Sequence, residues 1–251
     1  EHILLENQFQ SDQQPQFIVH RLDRRTGTIH VPVFDFNQDG KPDFVALVSN
    51  ESESLDMFVN LGPNKFLARP IWRAPDLTFG SSGIELCDLD NDGDMDILYT
   101  NGDTFDNLYA NPSHGLQWLE NMGTNGFQYH RLLDLPGAYR ALAADLDGDG
   151  DKDIILSAWL SRNVKPIDLR AMRIPSLILL EQTAPKEFRI QVLDTDWPQY
   201  PVLEVADLDG DGDLDFVAGR HVGLDDPTGV NRPRLRVWWN QRVPGRKPRI
   251  Q

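Results

Sequence analysis

The segment Asp207-Leu208-Asp209-Gly210-Asp211-Gly212-Asp213-Leu214-Asp215 decides how this chain is read, because its spacing recurs three more times. The other copies are Asp35-Phe36-Asn37-Gln38-Asp39-Gly40-Lys41-Pro42-Asp43, Asp88-Leu89-Asp90-Asn91-Asp92-Gly93-Asp94-Met95-Asp96 and Asp145-Leu146-Asp147-Gly148-Asp149-Gly150-Asp151-Lys152-Asp153. Together they hold eighteen of the 39 acidic residues, so outside them the acids roughly balance the 24 Lys and Arg. The net charge of −15 is therefore concentrated in four short windows. A solvating or disordered acidic surface would scatter its carboxylates instead.

Carboxylates two residues apart repel one another, and a chain that repeats this arrangement needs a counter-charge to fold compactly. A hard divalent cation supplies one. Calcium takes six to eight oxygen ligands, and carboxylates at loop positions 1, 3 and 5 with a backbone carbonyl at position 7 can wrap one ion. Those positions are Asp35, Asn37, Asp39 and Lys41; Asp88, Asp90, Asp92 and Asp94; Asp145, Asp147, Asp149 and Asp151; and Asp207, Asp209, Asp211 and Asp213. Glycine at position 6 admits the sharp turn that a Cβ would strain. The helix-loop-helix calcium site closes with Glu at position 12, but here that position is Ala46, Tyr99, Leu156 or Ala218, which excludes it. Magnesium is disfavoured by its small octahedral shell, and zinc by the lack of His or Cys in the windows. Up to four Ca2+ are expected. Loop 1, with Asn37 and the fewest charges, should bind most weakly.

Each window opens into a short apolar run: Phe44-Val45-Ala46, Ile97-Leu98-Tyr99, Ile154-Ile155-Leu156 and Phe216-Val217-Ala218. These are strand signals. A strand enters each window (29–34, 84–87, 141–144, 203–206). A third follows at 58–60, 118–121, 178–181 and 237–240, and a fourth begins at Phe66, Phe127 or Phe188. The first aspartates lie 53, 57 and 62 residues apart. Four strands per such unit predict an all-β fold of β-propeller blades. With 3–7 and 17–22 read as the last two strands of another blade, seventeen strands make neither four nor five full blades. A fragment of a longer propeller over residues 1–241 is expected, with a basic tail or linker at 242–251. Any targeting segment would lie upstream or have been removed.

The windows and their flanking strands resemble the FG-GAP/VCBS repeat family of calcium-binding β-propellers, which includes the integrin α-subunit head. The resemblance adds the ninth residues, Asp43, Asp96, Asp153 and Asp215, to the metal ligands. It also implies a non-enzymatic, extracellular, surface or periplasmic protein that binds a protein or glycan, with calcium in a structural role. The alternative it leaves open is the propeller of a polysaccharide lyase or cofactor-dependent dehydrogenase.

Composition narrows the partners. The acidic balance excludes a nucleic-acid binder, one cysteine excludes an internal disulfide framework, and no apolar run is long enough for a membrane helix. Propeller loops alternate between two ends, and the long connections opposite the acidic windows are the candidate ligand face. Asp103, Tyr109, His114, Tyr139, Arg140, Trp197, Tyr200 and His221 are its candidate contacts, an aromatic and polar mixture suited to a sugar or peptide. Asp103, Asp106 and His114 could form an acid/base group, though no nucleophile signature accompanies them. Asp225 and Asp226 fall in the same set of loops. Cys87 reads as a small buried side chain, and His20 and His130 as ordinary strand residues in equivalent registers.

Overall fold

The computed structural model describes residues 2–8, 14, 16–49, 52–105, 107–221, 233–241 and 249–250. Asp106, Asp225, Asp226 and most of the basic tail lie outside them. The chain divides into two compact units, Glu1–Thr78 and Phe79–Gln251.

In the first unit, β1 (His2–Asn7) pairs antiparallel with β2 (Phe17–Asp23). A second sheet contains β3 (Thr28–His30), β4 (Val33–Phe34), β5 (Asp43–Val48), β6 (Ser54–Gly62) and β7 (Lys65–Arg73). The entering strand expected over 29–34 is split in two. Pro32 lacks an N–H to continue the ladder, yet its carbonyl still accepts from Val45, and β3 and β4 both pair with β5. Arg25 joins the two sheets by pairing with Asp23 and, at 2.6 Å, with Asp56 on β6. That partner holds the Asp23 carboxyl down at about 2.

In the second unit, the expected four-stranded meander appears twice in full. One sheet is β8 (Ser81–Cys87), β9 (Asp96–Asn101), β10 (Gly115–Asn121) and β11 (Phe127–Asp134). The next is β12 (Ala138–Ala144), β13 (Asp153–Ala158), β14 (Leu177–Ala184) and β15 (Glu187–Asp194). A third has β16 (Val202–Ala206), β17 (Asp215–Gly219) and β18 (Leu235–Trp238), and β19 (Asn240–Gln241) pairs with β20 (Arg249–Ile250). The first strands are neighbours in space, β12 lying against both β8 and β16. This is the radial stacking of propeller blades.

Burial explains why the middle strands read as continuous apolar runs. All six residues of β9 and of β13, and all seven of β10, are buried, whereas no residue of β11 or β15 is fully buried. A blade's middle strands are covered on both faces, so alternation vanishes there. β13 shows the pleat at work: Ile154 and Leu156 join a core with Leu98, Leu116 and Trp118 of the preceding blade. Ile155 points the other way, to Leu203, Phe216 and Trp238 of the next. Cys87 is buried as expected, and burial pushes its thiol far up. His20 and His130 each face a glutamate on the partner strand, Glu6 at 2.8 Å and Glu120 at 2.6 Å. No helix of the described residues is long and apolar enough to cross a membrane.

Candidate functional site

The acidic windows are turns built on one repeated set of hydrogen bonds. The first aspartate uses both oxygens on the turn's own backbone. Asp88 accepts from Asp92 N–H at 3.1 Å and Gly93 N–H at 3.0 Å; Asp35 does the same with Asp39 and Gly40. In the last two copies the partners are Gly148 and Gly150, then Gly210 and Gly212. The fifth residue accepts from the N–H of the seventh, as Asp149 does from Asp151 at 3.0 Å. The sixth-position glycines have φ between +84° and +99°, as the sequence required. The fourth position is left-handed too: Gln38, Asn91, Gly148 and Gly210 have φ of 56°, 58°, 71° and 80°. The Asn and Gly there are a legible signal that the sequence reading passed over.

The ninth aspartates do a different job from the rest. Asp43, Asp96, Asp153 and Asp215 are buried, 0 to 2% exposed. One oxygen of each accepts the N–H of the second loop residue: Phe36, Leu89, Leu146 or Leu208. The other accepts the N–H of a residue at the end of the third strand: Asn60, Asn121, Gln182 or Asn240, at 2.7 to 2.9 Å. The side-chain amides of those four residues donate in turn to the carbonyl just before the aspartate, Pro42, Met95, Lys152 or Leu214. Two of them also reach the preceding turn, Gln182 to Leu89 O at 3.1 Å and Asn240 to Leu146 O at 2.7 Å. Asn91 bridges forward to Gly150 O and Asp151, both at 3.2 Å. In the second unit the turns therefore form one hydrogen-bonded belt. The reading of single windows missed it, although a polar amide closing each apolar third strand, except for Glu181-Gln182, was visible.

The oxygens also converge. Asp88, Asp90 and Asp96, then Asp145, Asp147 and Asp149, then Asp207, Asp209 and Asp215 each place one oxygen within 4.8 Å of the others. Without an ion this crowding raises carboxyl pKa values. Burial leads, with carboxylate neighbours adding, to push Asp96 to about 6 and Asp153 to about 7; Asp90, Asp147 and Asp209 rise for the same reasons. One oxygen of Asp90 is buried without a close hydrogen-bond partner. The all-oxygen donor set, the convergence and that unsatisfied oxygen fit calcium. Loop 1 differs because Lys41 Nζ sits 2.9 Å from Asp39 Oδ2 and pulls that exposed carboxyl down.

The candidate ligand residues do not gather at one place. Tyr139 and His221 meet around two residues the sequence reading did not single out, Phe105 and Trp159. Tyr109 and His114 line a cavity of about 230 Å³ with Pro112, Pro136, Pro166 and Leu169. His114 is nevertheless interior, 2% exposed, its ring nitrogens facing the N–H groups of Asn111 and Gly137. Burial, aided by Arg131, drops its pKa to about 4. Tyr200 is fully buried and donates to Asp194 at 3.0 Å, so both it and His114 are corrected from ligand contacts to packing residues. Trp197 donates to Leu160 O beneath the Arg162 guanidinium. Arg140 pairs with Glu85 at 3.2 Å on the neighbouring first strand, and Asp103 accepts the N–H of Phe105.

Residues 35–99 match the FG-GAP-like repeat, a span covering the first two acidic turns and the strands between them. No curated protein matches the sequence significantly. Among solved structures, an Agrocybe aegerita lectin, described for specific recognition of non-reducing terminal N-acetylglucosamine, aligns with 78% of this chain. The identity is 18% and the TM-score 0.49, and the aligned part is 48% of that lectin chain, so this chain spans about half its length. The match is thus direct over residues 35–99, and the same turn-to-strand spacing recurs outside it at 145–153 and 207–215.

Proposed function

We propose that this chain is a calcium-stabilised, non-enzymatic binding propeller that acts outside the cell or at its surface. The observation that carries the reading is the repeated turn geometry. Carboxylates at positions 1, 3 and 5, the seventh carbonyl and the ninth aspartate would hold the ion, except where Lys41 already neutralises loop 1. Calcium, when bound, would supply the positive charge that cancels carboxylate repulsion. Extracellular calcium modules have dissociation constants of about 0.1 to 1 mM, so millimolar calcium would stabilise by about 1 kcal/mol per turn. Sites that weak stay empty at cytosolic calcium levels, which supports an exported location. The opposite loop ends would present the surface for a glycan or protein.

Calorimetric titration of calcium into stripped protein, with melting curves in calcium and in chelator, tests the metal reading. Heat of binding and a higher Tm in calcium are expected; no heat and an unchanged Tm would refute it. Screening the calcium-loaded protein on an oligosaccharide array beside a depolymerisation assay tests the rest. Binding without turnover is the expected result, and calcium-dependent chain cleavage would overturn the non-enzymatic reading.

A further inference from the structure

At the end opposite the acidic turns, three strands of the second unit deliver side chains to one point. Phe105 follows β9, Trp159 follows β13 directly, and His221 follows β17, while Tyr139 stands near the start of β12. Phe105 stacks on Trp159 with centroids 4.0 Å apart and planes 12° from parallel. Tyr139 and His221 stand edge-on to both rings of the stack, 5.6 to 6.4 Å away. Trp159 is 5% exposed, and Phe105, with one face covered by it, is 50% exposed. An aromatic face is thus presented to solvent on a buried base.

The base is held rigidly. Trp159 N–H donates to Gly137 O at 2.8 Å, and its indole N–H donates to His221 Nδ1 at 3.2 Å. Gly137 lies at φ +76°, and a Cβ there would come within 2.4 Å of Trp159 O, so only glycine lets the chains meet. Because an indole nitrogen only donates, His221 Nδ1 is the acceptor, and the ring proton belongs on Nε2. The exposed imidazole therefore offers an N–H. Tyr139 borders the stack edge-on to both rings, and Asp103 is anchored beside it, one carboxylate oxygen accepting the Phe105 N–H at 2.8 Å.

We infer that the Phe105–Trp159 stack is a platform for one neutral pyranose residue, its C–H face on Phe105 and its hydroxyls toward His221, Tyr139 and Asp103. A pyranose presents an apolar face and a rim of groups that both donate and accept, matching an aromatic plane bordered by a donor, a hydroxyl and a carboxylate. An apolar peptide side chain would desolvate those three groups without pairing them. An ammonium or guanidinium would meet the His221 N–H as a second donor. The inference rests on the glycan branch of the proposed function and names its site.

The test starts from an array of neutral and acidic oligosaccharides, followed by titration with the methyl glycoside of the strongest hit, read by calorimetry and tryptophan fluorescence. A neutral sugar that shifts the emission is expected. Its affinity should fall about two- to twelvefold in Phe105→Leu, which keeps bulk without a π face, as lost stacking implies, and at least as much in Phe105→Ala. His221→Ala should weaken it several-fold and, by orphaning the buried Trp159 indole N–H, also lower Tm, while the heat of calcium binding stays unchanged in all three. A hit bound equally well by both Phe105 variants would overturn the platform while leaving a glycan-binding propeller. A Phe105-dependent response to a cationic peptide but to no sugar would overturn the ligand class. Silence across the whole array would overturn both the platform and the glycan branch, leaving the calcium reading to its own titration.

Discussion

Replacing Asp153 by Ala and, separately, Asp147 by Ala should separate two roles that carboxylates of one turn play. Asp153 is 2% exposed and accepts Gln182 N–H at 2.9 Å and Leu146 N–H at 3.2 Å. Its removal leaves two buried donors unsatisfied, at about 1 to 3 kcal/mol each. Against this stands the cost of burying the carboxylate, visible in its pKa near 7. The net loss should be roughly 2 to 4 kcal/mol, a large share of a typical stability of about 5 to 15 kcal/mol. Asp147 accepts a single N–H, from Asp149 at 3.1 Å, and faces the carboxylates of Asp149 and Glu181. Its loss in chelator should cost at most about 1 kcal/mol, since relief of repulsion offsets the bond. Urea unfolding of both variants in chelator and in millimolar calcium gives the comparison. Asp153→Ala should be the weaker protein in both media, whereas Asp147→Ala should differ from wild type mainly in failing to gain from calcium. Equal losses in chelator would refute the main-chain role that the ninth carboxylate has in addition to facing the ion.

Three further outcomes follow from the same geometry. His114 is buried neutral with a pKa near 4 against an ordinary value of 6.5, so its contribution is intact above pH 6.5 and lost as pH falls toward 4; by pH 5, about 2 kcal/mol should have gone. Denaturant titrations in chelator should show a correspondingly shallower acid slope in His114→Gln, and an identical slope would contradict the assignment. Asn91→Gly keeps the left-handed backbone that Gly148 and Gly210 occupy elsewhere but deletes the bridge to Gly150 and Asp151; the calcium isotherm should become less cooperative, and an unaltered shape would mean the turns fill independently. Lys41→Gln removes the ammonium beside Asp39, and a peptide-mapped calcium footprint on loop 1 should shift to about two- to fivefold lower concentration; no shift would show that Lys41 does not compete.

How much was legible depended on whether a signal repeats. The four acidic turns, the strand after each and the aromatic start of the fourth strand recur at fixed offsets, so a single sequence displayed the blades. The split at Pro32 was legible in principle, since proline cannot donate to a ladder, but alternating neighbours masked it. The double service of Asp153 and its equivalents was not, because spacing marks a carboxylate without saying whether its oxygens face an ion or the main chain. The pairing of Phe105 with Trp159 was least visible. The loops after β9 and β13 differ in length and lack periodicity, so only the folded chain brings Phe105 and Trp159 together. His114 and Tyr200 misled for the converse reason: a polar aromatic in a long loop looks available until its burial is known.

The strands β9, β13 and β17 connect the two ends of the second unit. Each starts at a ninth-position aspartate, Asp96, Asp153 or Asp215, and leads into Phe105, Trp159 or His221. Six extended residues span about 20 Å, and these strands are hydrogen-bonded on both sides within their sheets. Each ninth aspartate is fixed at its end by main-chain N–H groups whether or not an ion is present. Energetic coupling between distant sites requires an element with two discrete arrangements, and a strand paired on both sides and pinned at its first residue is ill suited to be one. Removing calcium should therefore relax the turns and lower Tm while leaving the far ends of the strands in place. Sugar affinity at the Phe105–Trp159 stack, measured below the lowered Tm, should then change less than about twofold between calcium and chelator, because a coupling below about 0.4 kcal/mol is all that a rigid connection would transmit. A tenfold loss in chelator would show instead that the strands move when the turns open, and that the platform is assembled by the ion rather than by the fold.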